Sequence, residues 1–389
     1  MSSQAPARKK TATAERPFVD FYMTHGVIPT RQDISDLDRH FQRRSALYRK
    51  LGLVPSHLEG RSIIEFGPGS GHNAVYTLSL NPGRYILVDA NQASLQSTSE
   101  QVRKHRRETD CQIVDCEIQK FATRERFDLV LCEGVVPTQD DPAAFTRKIA
   151  GFVKPGGVLV LTCMDPVSVL PEVLRRYVAH RAVPADVPFA ERVARLTRYF
   201  TPDLRTLPGM SRKYEDWVID VVMHPWSGRL YSMASAMEAL ADQAVLQGSS
   251  PGFITDWRWY KDIHGQARFD LSRNLNDYWT HVHAFLDFRS VVASRPAAAN
   301  RALVRLAGKI YDRVYAVERT GKPYPPAALA RDVKKVADSV RSSLPAAARS
   351  LDEFARLVGK VAPGKPSPFK QFLGLWGRGQ QYVSFVVEK

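Results

Sequence analysis

The densest chemistry in the chain lies in nine residues, Ile63-Ile64-Glu65-Phe66-Gly67-Pro68-Gly69-Ser70-Gly71. An apolar run closes on a carboxylate and then opens into glycines at alternate positions. The run reads as a buried strand feeding a tight loop, because glycine accepts positive φ and leaves bare backbone for a ligand to lie against. His72 to Leu80 follows as a helix whose free N–H groups face the loop. A loop of this kind, at the carboxyl end of a strand, is where open α/β sheets bind nucleotide-type ligands. A second apolar run, Tyr85-Ile86-Leu87-Val88, ends in Asp89, 18 residues past Gly71. A carboxylate there can accept from both hydroxyls of a ribose.

The glycine spacing separates two readings of the loop. A dinucleotide fingerprint, G-x-G-x-x-G, needs a glycine where this chain has His72. Gly67, Gly69 and Gly71 behind Glu65 instead resemble motif I of the class I S-adenosylmethionine-dependent methyltransferases. Phe127-Asp128-Leu129-Val130-Leu131-Cys132-Glu133-Gly134 is similar to the fourth strand of that family. Lys154-Pro155-Gly156-Gly157 before the apolar run 158–162 is a turn frequent in it. The resemblance covers residues 61–165 and 368–389. It implies an S-adenosyl-L-methionine cofactor, leaving as S-adenosyl-L-homocysteine, bound by Glu65, Gly67, Gly69, Gly71 and Asp89, with Asn91 and Gln92 at the adenosine edge. It also implies an acid after the third strand, Cys111 to Glu117, facing the adenine amino group. Asp115 and Glu117 both qualify, and the Phe121 that follows favours Glu117. Glu133 ends the fourth strand beside the transferred methyl group.

Methyl transfer is an in-line displacement helped mainly by placing two reactants and excluding water. A base is needed only where the acceptor must lose a proton at the barrier. Glu133 is the first candidate for that role, Asp165 after strand five the second and His72 the third. No metal is implied. Cys111, Cys116, Cys132 and Cys163 form no C-x-x-C pair and read as small buried thiols. His281 and His283, two apart, point to different faces of a helix.

These groups need an α/β scaffold: a Rossmann-like seven-stranded sheet, mostly parallel with an antiparallel last strand, carrying a mostly α-helical inserted domain. Residues 1–16 read as a disordered basic tail. Residues 17–60 read as capping helices, with Tyr22 and His25 bordering the site or simply packing. Residues 61–165 form the cofactor-binding core, and 166–367 a helical insertion that serves as lid and acceptor-recognition element. Residues 368–389, two β-rich runs about Gly377-Arg378-Gly379, read as a closing β-hairpin. Helical patterns in the insertion fall at 167–180, 190–200, 214–223, 233–246, 271–288, 301–317 and 327–340, separated by prolines. Trp257, Trp259 and Tyr260 either stack on a sugar or base or clamp the insertion onto the sheet.

Of 389 residues, 44% are hydrophobic and 24% charged, the balance of an ordinary soluble globular protein. No run approaches the roughly 20 apolar residues of a membrane span, and a cytoplasmic location follows from the absent signal-peptide pattern. The net charge of +15 admits a nucleic-acid partner, yet the arginines are dispersed over the whole chain. Glu133-Gly134-Val135-Val136 also stands where nucleic-acid methyltransferases carry a D/N-P-P-Y/F tetrapeptide. The reading is therefore methylation of a small organic molecule or saccharide. Nucleic-acid (RNA) methylation and a non-catalytic cofactor-binding scaffold remain as alternatives. The acceptor atom and oligomeric state are not legible.

Overall fold

The structure, a computed structural model, describes residues 17–28, 31–106, 109–225 and 229–388. The expected tail, 1–16, lies outside them. Seven strands form one sheet: β1 (Ser62–Phe66), β2 (Arg84–Asp89), β3 (Asp110–Asp115), β4 (Phe127–Cys132), β5 (Val153–Met164), β6 (Ala244–Ser250) and β7 (Gln380–Val387). Their order is β3-β2-β1-β4-β5-β7-β6. Strands β1 to β5 run parallel, and β7 runs antiparallel between β5 and β6.

Thirteen α-helices are present among the described residues. Two precede the sheet, α1 (Pro17–His25) and α2 (Leu37–Lys50). Three join its strands, α3 (His72–Ser79), α4 (Gln92–His105) and α5 (Pro142–Ala150). Eight lie between β5 and β7: α6 (Leu170–Ala182), α7 (Phe189–Leu204), α8 (Tyr214–Trp217), α9 (Met233–Ala239), α10 (Leu271–His281), α11 (Ala297–Thr320), α12 (Pro326–Val340) and α13 (Pro345–Leu357).

Alternation along the strands sorts the core into two faces. Ile63, Tyr85, Leu87, Leu129 and Leu131 pack with Tyr48 of α2 and Tyr76 of α3. Ile64, Phe66, Val88, Val130 and Leu161 pack on the other face, in a buried cluster that runs without a break to Phe354 of α13. The long segment between β5 and β7 thus shares the hydrophobic core of the sheet.

Several expectations need correction. The stretch 368–389 is not a hairpin: Phe372–Gly374 is a single 3₁₀ turn, and only β7 joins the sheet. Its neighbour is β6, from the middle of the insertion, paired through Ala244↔Val387 and Ser250↔Tyr382. The helical pattern at 233–246 therefore ends early, because ladder bonds to β7 hold the backbone extended from Ala244. The pattern at 214–223 becomes α8 followed by one π-helical turn, Val218–Met223, and that at 271–288 becomes α10 followed by a 3₁₀ turn, Val282–Leu286. Helix α13 has no counterpart in the expectation. Pro345, read as a separator, is its first residue, where the missing N–H costs nothing.

Arg175 of α6 holds the returning chain in place. It is fully buried and pairs with Asp203 at 2.9 Å. Its Nη1 donates to the Leu375 carbonyl at 2.8 Å and its Nη2 to that of Leu373 at 3.0 Å. The guanidinium lies 3.8 Å from the centroid of Trp376. One cation thus ties α6, α7 and the lead-in to β7 together. Removing one member of a buried pair strands the other, so Arg175→Ala should lower unfolding free energy by about 3–5 kcal/mol in urea titration. The double change Arg175→Met with Asp203→Leu should recover most of that loss. Equal loss in both would show that the charge pair itself is needed.

Candidate functional site

The carboxyl edge of the sheet gathers the expected residues. Gly67, Gly69 and Gly71 all take positive φ, at 72°, 57° and 74°. At Gly67 a Cβ would fall 2.4 Å from Val135 Cγ2, and at Gly71 it would fall 2.9 Å from the Thr98 backbone. No side chain fits at either position without displacing a neighbour, so the loop is a bare-backbone cradle. Gly71 caps α3, whose first N–H groups point into the loop.

Asp89 ends β2, in register with Asp115. Its Oδ1 accepts from the Asn91 N–H at 2.9 Å. Burial raises its pKa, against backbone hydrogen bonds from Asn91, Ala90 and Gly69. The Gly69 backbone acts on the Asp89 carboxylate, so the glycine loop lies beside the end of β2. Asn91 serves locally as the N-cap of α4, accepting from Ser94 N–H at 3.0 Å. Asp115 is exposed and accepts from Gln92 at 2.8 Å. Glu117 is half-buried and pairs with Lys120 at 3.0 Å.

Glu65 lies under the loop, 3% exposed, and accepts from the Tyr85 hydroxyl. Burial, aided by the negative charge of Glu133, raises its pKa to about 7. Glu65 is therefore a structural acid beneath the cradle.

The three expected bases are all engaged. Glu133 is gripped by Arg44 of α2 through two bonds, at 2.9 and 2.6 Å, with Asn73 at 3.3 Å and the Tyr382 hydroxyl at 3.5 Å. A carboxylate forked onto a guanidinium has both oxygens committed. Asp165 is fully buried, takes the Tyr278 hydroxyl and accepts from Val167 N–H at 2.7 Å. It braces the turn after β5 against α10. His72 directs Nδ1 to Gln32, with its carbonyl at 2.8 Å, which fastens the segment before α2 to the glycine loop.

Four residues come to the edge that sequence reasoning did not identify: Arg44, Arg212, Asp220 and Tyr382. Arg44 Nε is buried with no partner among the described residues. Its signal was available, since Arg44 falls three residues after Phe41 and four before Tyr48, on the apolar stripe of α2. Tyr382 opens β7 opposite Thr162. Asp220 lies on the π-helical turn, accepting from the Tyr22 hydroxyl at 2.6 Å and from Arg212 at 2.8 Å. Arg212 also acts electrostatically on Tyr382, so this polar ring faces the edge that carries Glu133. No local pattern announces it, because its members come from α1, a loop and a π turn. The aromatic stretch behaves differently: Trp257, Trp259 and Tyr260 are 91%, 60% and 72% exposed and clamp nothing. Among the described residues no cluster of three His, Cys, Asp or Glu side chains is arranged to hold a metal, and no helix is long and apolar enough to cross a membrane.

Residues 64–161 match the family model described as "Methyltransferase domain". A curated relative, the cypemycin N-terminal methyltransferase of a Streptomyces species, is 30% identical over 119 residues. That match covers 29% of this chain and 46% of the relative, so the chain spans about half the length of that relative. Among solved structures, the N-methyltransferase NodS of Bradyrhizobium japonicum WM9 in complex with S-adenosyl-L-homocysteine is 16% identical. It covers 40% of this chain and 76% of its own, with a TM-score of 0.32. An S-adenosylmethionine-dependent methyltransferase from Clostridium acetobutylicum ATCC 824 is 18% identical, covering 36% and 58%, with a TM-score of 0.30. The residues that match the methyltransferase domain model, 64–161, are those that carry the glycine cradle.

The raised pKa of Glu65 has a stability consequence. Its folded value, about 7, exceeds the ordinary 4.5 of the unfolded chain, so between those values the folded state holds the extra proton. Stability from this group is fully present below about pH 4.5 and falls as pH rises toward 7, by about 3 kcal/mol. Glu65→Gln should flatten that fall in urea unfolding measured from pH 5 to 8. An unchanged slope would mean that Glu65 is ionised throughout.

Proposed function

We propose that this protein transfers the methyl group of S-adenosyl-L-methionine to a small organic acceptor, saccharides included, held between the carboxyl edge of the sheet and the helical insertion. The observation that carries the reading is the cradle itself: Gly67, Gly69 and Gly71, all at positive φ between β1 and α3, within residues that match a methyltransferase domain. The cofactor supplies an electrophilic methyl on a positively charged sulfur. The glycine backbone and the N-terminus of α3 would receive its polar amino-acid end. Asp89 would accept from the ribose hydroxyls. Asp115 and Glu117 stand after β3 on the adenine side. The unpartnered Nε of Arg44 offers a further donor to a carboxylate.

Since Glu133, Asp165 and His72 are committed to other partners, catalysis in this reading rests on positioning and on exclusion of water. Tyr22, Asp220 and Arg212 form the acceptor-facing ring, and Tyr382 the floor. An amine that arrives neutral needs no base in such a site. The relative named for a peptide N-terminus makes a peptide amine the second reading of the acceptor. Nucleic acid ranks below both, with the net charge of +15 its support.

Calorimetry with S-adenosyl-L-homocysteine should show binding to the wild type and none to Gly69→Arg, whose side chain would fill the cradle. Wild-type protein that ignores this ligand would sink the proposal. Methyl-labelled cofactor and fractionated host extract should place label in the small-molecule or saccharide pool. Label in peptide would select the second reading, and label in nucleic acid would overturn both. With the labelled fraction as substrate, Asp220→Asn should lower kcat/KM by about 10–100-fold, from the loss of one charged hydrogen bond. Its affinity for S-adenosyl-L-homocysteine should stay unchanged.

A further inference from the structure

Beyond the acceptor-facing ring, the insertion holds a second buried polar cluster where α6, α7, α11 and the π turn meet. Arg176 of α6 is 1% exposed and fully occupied. It donates to both carboxylate oxygens of Glu318, to the Val221 carbonyl at 3.1 Å and to that of His224. Glu318 also takes His180 at 2.9 Å. Against burial, which raises it, the His180 hydrogen bond and the charge of Arg176 hold the Glu318 pKa down to about 2. One carboxylate therefore neutralises one guanidinium.

Arg192 of α7 brings a second guanidinium to the same place. It feels Arg176 as a repelling charge and Glu318 as an attracting one. Its Nε and Nη2 are sealed from solvent, and neither has a partner among the described residues. A half-buried guanidinium with two sealed, unmet donors, beside another guanidinium whose counter-ion is already shared, is one anion short. The cluster also adjoins the proposed site. Phe189, three residues before Arg192, stacks on His25 of α1 at 3.8 Å, and Tyr22 of α1 stacks on His224 at 6.3 Å. Helix α1 thus spans from Phe189, one helical turn before Arg192, to the Tyr22–Asp220 pair.

We propose that Arg192 is the anion-recognition residue of the acceptor site, so that the acceptor carries an oxyanion, a carboxylate or a phosphate, which pairs with Nε and Nη2. The inference rests on the methyl-transfer reading for the word acceptor; the anion site itself does not depend on it. A planar guanidinium with two adjacent free donors matches an oxyanion in forked geometry, which an ammonium or a neutral group cannot reproduce. Specificity then follows, because a neutral acceptor would leave Arg192 buried and unpaired.

The test compares wild type with Arg192→Gln by thermal denaturation, titrating inorganic phosphate and acetate against chloride at equal ionic strength. Phosphate or acetate should raise the wild-type Tm saturably, and the apparent affinity should fall at least about tenfold in the variant. In chloride alone the variant should melt no lower than wild type, since it loses an unpaired buried charge. An identical oxyanion response in both proteins, or a variant that melts lower in chloride, would overturn the assignment. A second arm asks where the anion comes from: the labelled methyl product should be retained on an anion exchanger at neutral pH, and a product in the flow-through would overturn the acceptor-borne oxyanion. S-adenosyl-L-homocysteine affinity should be equal in the two proteins. Its absence in wild type would count against methyl transfer, and the phosphate comparison would still judge Arg192.

Discussion

The sheet cannot close until the chain has travelled from Met164 to Gln380, because β7 must lie between β5 and β6. Every other feature depends on that constraint. A strand flanked on both sides cannot be left out without exposing two rows of backbone polar groups. The eight helices between β5 and β7 therefore have to pack in a way that delivers β7 to its slot. Arg175 is the point at which they do so, joining α6, Asp203 of α7 and the carbonyls before β7. One continuous core from the sheet to Phe354 is the energetic result.

The same closure sets the chemistry of the edge. Strand β7 brings Tyr382 beside Glu133, and α2 brings Arg44 from the other side. The helices inserted before β7 bring Asp220 and Arg212 over the top. Each contact joins residues far apart in sequence through charge-assisted hydrogen bonds, which are short and directional. Buried ion pairs contribute little net stability against desolvation. Here they fix which helix lies over which strand end, and so define the geometry of the site more than its free energy. The site is a seam between three parts of the chain, with the glycine cradle on one side and the ring of Tyr22, Asp220 and Arg212 on the other.

The expected catalytic groups are each engaged by a tertiary partner in this structure. Glu133, Asp165 and His72 are chemically capable residues at the expected strand ends, but each spends its polar atoms on a tertiary partner: Arg44, Tyr278 and Gln32. Glu65 goes further, becoming a proton-holding acid beneath the loop. In the methyl transfer proposed above, the backbone of the glycine loop and the walls of the site would do the work of placement, which is what a displacement at a pre-activated methyl group requires.

What the sequence alone determined is local. The glycines of the loop, the strand-ending Asp89 and Glu133 and the two-residue alternation of β1, β2 and β4 are set by steric limits and side-chain period. Those act between neighbours in the chain, so the glycine loop and the strand-end acids beside it were legible residue by residue. What only the tertiary structure decided is everything that depends on a distant partner. The pattern at 233–246 looked helical until β7 offered ladder bonds to residue 244 onward. The run 372–376 looked like a strand, yet no neighbouring strand pairs with it, and Arg175 takes its carbonyls instead. Asp220 and Arg192 carry no motif, because their surroundings come from the charges they meet after folding. Propensity reads the backbone's near neighbours; electrostatics and burial are properties of the assembled interior, and they brought Arg44, Arg212 and Asp220 to the sheet edge.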